Sequence, residues 1–65
     1  MNALTLDMLT WLDSREVTYA EAIDAWHSHC PRLTIWEDAL ADRLIRIERG
    51  VVTVTDRGRT ALAAQ

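Results

Sequence analysis

Apolar residues recur at helical spacing through the first two thirds of the chain and at strand spacing after it. Leu4, Met8 and Leu12 fall at i, i+4 and i+8, with Leu9 and Trp11 beside them; this predicts a first helix over residues 4–14. Asp7, Thr10 and Asp13 fill most of the other side, with Leu6 intruding. So wide an arc suits a helix that faces the core of a small domain, or one that packs on the core and on a second subunit together. Leu6 and Trp11 are the interface candidates on the second reading, Trp being enriched where interfaces are tightest. The pattern breaks over Asp13–Glu16. Thr18-Tyr19-Ala20-Glu21 then reads as a capping box, in which the Thr oxygen accepts from the Glu21 N–H and Glu21 reaches back to the Thr18 N–H. Val17 and Ala22 are placed for a weak hydrophobic staple. The second helix starts near Tyr19 and carries Tyr19, Ile23, Trp26 and Cys30 as an inward stripe. Pro31 ends it, because the residue before a proline is pushed out of helical geometry. Arg32 and Leu33 make a turn, and the box recurs as Thr34-Ile35-Trp36-Glu37. The third helix runs to about Leu44 with Trp36, Leu40 and Leu44 buried and Ala39 on the flank. Its outward face is Ile35, Asp38, Ala41 and Asp42.

From Ile45 the period becomes two. Ile45 and Ile47 alternate with Arg46 and Glu48, and Val52 and Val54 with Val51, Thr53 and Thr55. Arg49-Gly50 between the runs is a two-residue hairpin loop in which Gly supplies the positive φ. Thr55 or Asp56 caps a last short helix, with residues 60–64 packing back. The order is helix, helix, helix, hairpin, helix: a mainly α fold with a small β-hairpin, in one small domain over residues 1–65.

Length and charge narrow the picture. A 65-residue chain buries only about 60% of the surface its unfolded form exposes, so its stability margin is thin. Residues 1–31 hold one Arg (Arg15) against five carboxylates, whereas residues 32–65 hold six Arg against five. An anion-binding face is therefore expected in the second half. There is no Lys, and Arg keeps its charge at every working pH and can grip phosphate or carboxylate with two bonds. A single cysteine, Cys30, excludes an internal disulfide framework and fits a reducing compartment. No signal peptide and no membrane-spanning run is evident, so a cytoplasmic protein is the expectation.

The segment Leu40-Ala41-Asp42-Arg43-Leu44-Ile45, followed by a hairpin and by Val52-Thr53-Val54-Thr55-Asp56-Arg57-Gly58-Arg59-Thr60-Ala61-Leu62, resembles the ending of winged helix-turn-helix transcription regulators, MarR-like and related groups among them. They share a third helix closing on Leu-Ile, a wing, and a hydrophobic-Thr-x-x-Gly-Arg-x-x-Leu segment. This chain has Arg43 where many of them have Gly before the Leu-Ile pair, and it lacks their long dimerisation helices and ligand pocket. The resemblance implies duplex DNA binding as a dimer, with the third helix in the major groove and the wing on the adjacent backbone, and a role in transcription regulation.

The residues divide on that expectation. Arg32, Arg46, Arg49, Arg57 and Arg59 are the candidate DNA-backbone contacts. Their plainer reading is a solvated surface with local ion pairs, each worth about 0–1 kcal/mol. The outward set Ile35, Asp38, Ala41 and Asp42 is a poor one for a groove, where Arg, Lys, Asn and Gln read bases and cations meet phosphates. Glu37 and Asp38 have a structural explanation as first-turn residues that complement the helix dipole; Asp42 has none. His27, His29 and Cys30 fall short of the four ligands of a closed zinc site, and no phosphate loop or nucleophile elbow is present. No metal, no cofactor and no catalysis are expected. Two functions remain: a small DNA-binding winged helix, or a protein–protein interaction module on that scaffold that does not bind DNA.

Overall fold

The structure, a computed structural model, describes residues 3–26 and 32–64. Cys30, Pro31, His27 and His29, and the readings that rest on them, lie outside the described residues. In order the elements are α1 (Ala3–Ser14), β1 (Val17–Thr18), α2 (Tyr19–Trp26), α3 (Arg32–Ala41), β2 (Ile45–Glu48), β3 (Val51–Val54) and α4 (Asp56–Ala63). Helices dominate, and the three strands form one antiparallel sheet in the order β1-β3-β2. None of the described helices is long and apolar enough to cross a membrane.

Local signals placed several elements where the pattern puts them. The first capping box forms: the Glu21 N–H donates to Thr18 Oγ1 at 3.1 Å, and the Thr18 N–H to Glu21 Oε1 at 3.0 Å. Val17 and Ala22 on either side are fully buried. The hairpin pairs Glu48 with Val51 and Ile45 with Val54 around Arg49-Gly50. Both loop residues have positive φ, 50° and 76°, the type I′ geometry whose twist matches the flanking strands.

Four expectations are corrected. The sheet has a third strand, β1, which pairs Val17 with Val52 and Thr18 with Val51; two residues are too few to show a period. Tyr19 is 45% exposed rather than core. Its N–H is given to Gly50 O at 2.8 Å, holding the start of α2 on the hairpin turn, and its ring tilts against Trp36 at 6.4 Å. The buried face of α2 is Ala22 and Trp26, with Ile23 and Ala25 on its margins. Finally, α3 already includes Arg32 and Leu33, so these are not a turn and Thr34 is not a cap but sits within the helix. The buried face is accordingly rotated to Ile35, Trp36 and Ala39, with Leu40 only partly covered. Ile35, expected outward, is 6% exposed.

One core holds the elements together. Met8, Leu9 and Leu12 of α1 join Val17, Ala22, Trp26, Ile35, Trp36, Ala39, Leu44, Ile45, Val52 and Val54. Trp26 and Trp36 are core residues as expected, and half-buried Trp11 packs against the edge.

The end of α3 is joined to the start of α4 by a tight clamp. Arg43 has φ 59°. The Arg43 N–H reaches Leu40 O at 3.1 Å, and the Leu44 N–H reaches Ala39 O at 2.9 Å. That pair of bonds with a left-handed residue is a Schellman ending. It explains why glycine is favoured before a Leu-Ile pair, and why an Arg here carries strain. Thr55 then ties this ending to α4. Its N–H donates to Leu44 O at 3.0 Å, its hydroxyl donates to Arg43 O at 2.5 Å, and the same hydroxyl oxygen accepts from the Gly58 N–H at 3.1 Å. Thr55 is thus the N-cap of α4. A Cβ on Gly58 would stand 2.2 Å from Leu44 O and 2.6 Å from Val54 Cγ1. The spacing Thr55-x-x-Gly58 is therefore a packing requirement.

Candidate nucleic-acid interface

A phosphate-binding surface needs several free cations on one side of the molecule. Of the five candidate arginines, three are engaged within the chain. Arg32 Nη1 donates to Ala25 O at 3.0 Å, and its guanidinium lies 4.9 Å from the Trp26 ring centroid. This contact joins the last turn of α2 to the first of α3. Arg46 pairs with Glu48 on its own strand at 3.0 Å, as the plainer reading of the sequence had it. Arg59 meets Asp13 of α1 at 3.3 Å and Asp56 at 3.6 Å, so it braces α4 against α1. All three ion-pair partners are well exposed, and each such pair contributes about 0–1 kcal/mol. Arg49 at the hairpin tip and Arg57 in the first turn of α4 are exposed and make no ion pair among the described residues. Arg43 belongs with them. It is exposed at the end of α3, and the sequence marks it only by the absence of a glycine there.

The outward side of α3 carries Glu37, Asp38, Ala41 and Asp42, all exposed. None of these carboxylates makes an ion pair among the described residues. Because α3 includes Arg32, Glu37 and Asp38 are not in its first turn, and the dipole argument that would have explained them fails. Asp38 stands in the last turn and Asp42 just past it, at the end where the dipole disfavours a carboxylate by about 0.3–1 kcal/mol.

Leu6 and Trp11, the interface candidates, are both half-buried, and Trp11 also has the Arg15 guanidinium 5.8 Å from its ring centroid. Arg15 in turn pairs with Glu21 at 3.1 Å. The Thr18 backbone N–H, the Thr18 hydroxyl and the nearby Arg15 charge together hold the Glu21 carboxyl below its ordinary pKa. A groove of about 210 Å³ lies between residues 12–16 and β3, and Arg59 also lines it. It is smaller than the roughly 300–1,000 Å³ of small-molecule sites, and its charges balance, Arg15 and Arg59 against Asp13 and Glu16. Among the described residues, no cluster of three or more His, Cys, Asp or Glu is placed to hold a metal ion. Compared with known proteins, the chain matches no family model, no curated protein and no solved structure.

Proposed function

We propose that this chain is a small winged helix whose third helix serves protein recognition and not DNA reading. The scaffold part rests on the element order, on the two-residue hairpin that would be the wing, and on the clamp of Thr55 and Gly58 against Arg43 and Leu44. The functional part is carried by one observation. Glu37, Asp38 and Asp42 stand exposed on the side of α3 that would enter a groove, without a cation to neutralise them among the described residues. A duplex would bring its phosphates against that charge. An Arg- or Lys-rich protein segment would be drawn to it and held by charge-assisted bonds.

A second reading, DNA binding through the hairpin, is favoured by Arg49 and Arg57, both exposed and outside any ion pair among the described residues. A fluorescence-anisotropy titration of a labelled mixed-sequence duplex separates the two. It is run at about 50 mM and about 200 mM salt, between which phosphate-driven binding falls steeply. The interaction reading expects no binding at the lower salt. Micromolar binding that weakens steeply at the higher salt, and weakens again in the Arg49→Ala, Arg57→Ala double variant, would establish the DNA reading instead.

A further inference from the structure

β2 is an outer strand of the sheet, and Arg46, Ile47 and Glu48 on it are exposed. The hairpin decides which of its backbone groups are already used. A two-residue loop makes Glu48 and Val51 a hydrogen-bonded pair, and alternation makes Arg46 and Thr53 the next one. The bond from the Thr55 N–H to Leu44 O continues that alternation. The N–H and C=O groups of Ile45 and Ile47 therefore point away from β3. An outer strand with such groups free is a template for another strand. Ile47 is also one of the two large apolar side chains that stand well exposed among the described residues, at 41%.

We propose that this edge pairs antiparallel with the same edge of a second copy of the chain, with the two-fold axis through Ile47. The choice of register follows from parity and charge. Outward-pointing groups must meet outward-pointing groups, so the axis must pass through a residue and not between two. An axis through Arg46 sets Arg46 opposite Arg46, and one through Glu48 sets Glu48 opposite Glu48; like charges directly opposite are destabilising. An axis through Ile45 sets Arg46 opposite Leu44 and Glu48 opposite Asp42, so it brings no opposite charges together. An axis through Ile47 leaves Ile45 opposite Arg49, whose φ of 50° takes it out of strand geometry, but sets Ile47 against Ile47 and each Arg46 against Glu48 of the other copy. The latter are non-hydrogen-bonded positions, where facing side chains come closest. The strand Ile45-Arg46-Ile47-Glu48 is thus complementary to itself in one register only. The resulting contact is isologous, and it extends the sheet to β1-β3-β2-β2-β3-β1. None of the carboxylates on the α3 face takes part in this contact.

Sedimentation equilibrium tests it. The contact is smaller than the roughly 1,200 Å² of standard interfaces, so association belongs in the range of about 10 µM to 1 mM. Over that range the mass should rise from the 7.4 kDa of one chain toward twice that value. The Arg46→Glu and Glu48→Arg variants alter exposed side chains, and circular dichroism should show both folded. Each alone should stay monomeric, because like charges then face each other across the axis. Mixed in equal amounts they should dimerise, because the charge introduced in one faces the opposite charge in the other. The ion pair within each chain remains broken in the mixture, so recovery reports pairing between chains alone. A wild-type chain that stays at 7.4 kDa throughout would overturn the proposal. So would single variants that dimerise as well as wild type, or a mixture no more associated than its components.

Discussion

Replacing Gly58 by Ala tests the clamp between α3 and α4. The added Cβ would sit 2.2 Å from Leu44 O, 2.6 Å from Val54 Cγ1 and 3.1 Å from the Leu44 carbonyl carbon. Two of these three atoms are backbone, fixed by the Schellman ending of α3 and by the Thr55 N–H bond to the same carbonyl. Relief therefore means moving α4 as a unit. Overpacking of a tight site costs about 1–3 kcal/mol, and distances this short belong at the upper end. Moving α4 also stretches the Gly58 N–H bond to Thr55 Oγ1, an N-cap contact worth about 1 kcal/mol. Against these stands the better helix propensity of Ala, roughly 1 kcal/mol. The net loss is about 3 kcal/mol, in a domain of this size whose whole stability is roughly 3–10 kcal/mol. In a thermal melt followed by circular dichroism, that is a fall in Tm of about 12–24 °C. Gly50→Ala is the control. Gly50 has φ 76° but nothing within 4 Å of its added carbon. Its cost is left-handed strain of about 1–2 kcal/mol, offset by roughly 0.4–1 kcal/mol from a less flexible unfolded chain. Gly58→Ala that melts no lower than Gly50→Ala would refute the clamp.

Three further outcomes follow from the same contacts. Arg43→Gly removes left-handed strain and should stabilise the domain by about 0.5–1 kcal/mol in urea denaturation, the gain being reduced by the greater freedom of Gly in the unfolded chain. Thr55→Ala loses both the cap bond to Gly58 and the bond to Arg43 O, and should cost about 1–2 kcal/mol by the same assay. Glu21 has its folded pKa lowered below 4.5, first by the Thr18 backbone N–H, then by the Thr18 hydroxyl and Arg15. Its contribution is therefore fully present above 4.5 and lost as pH falls through the lower folded value. Melts taken at successively lower pH should fall less steeply in Glu21→Gln than in wild type, and parallel curves would contradict that role for Glu21.

What the sequence made legible is what is decided within a few residues. Thr18 and Glu21 form their box because both partners lie within one turn. Arg49-Gly50 forms its loop because Gly admits the required φ and the flanking strands are long enough to hold register. Thr55 caps α4 because its side chain reaches the next turn. The same local rule misled at Thr34 and Glu37, since a Thr-x-x-Glu spacing is compatible with a helix interior too. The choice there was made by packing: Ile35, Trp36 and Ala39 face the core, Leu40 is only partly covered, and Leu44 is buried past the end of the helix. That shift of phase turned Ile35 inward and took the first-turn explanation away from Glu37 and Asp38. β1 could not be read because two residues carry no period, and Val17 pairs with Val52 thirty-five positions away. The division of the arginines into engaged and free could not be read either. Arg59 finds Asp13 across the fold, and Arg32 at the start of α3 finds Trp26 at the end of α2.

The role proposed for the exposed side of α3 is recognition of a cationic protein segment to the exclusion of DNA. The most direct measurement is a two-dimensional NMR titration of the isotope-labelled chain at low salt, once with a short arginine-rich peptide and once with a mixed-sequence duplex. The peptide should shift the amides of Glu37, Asp38 and Asp42 while the duplex should shift none. Shifts at Arg49, Arg57 and their neighbours with the duplex, and none along α3 with the peptide, would contradict it.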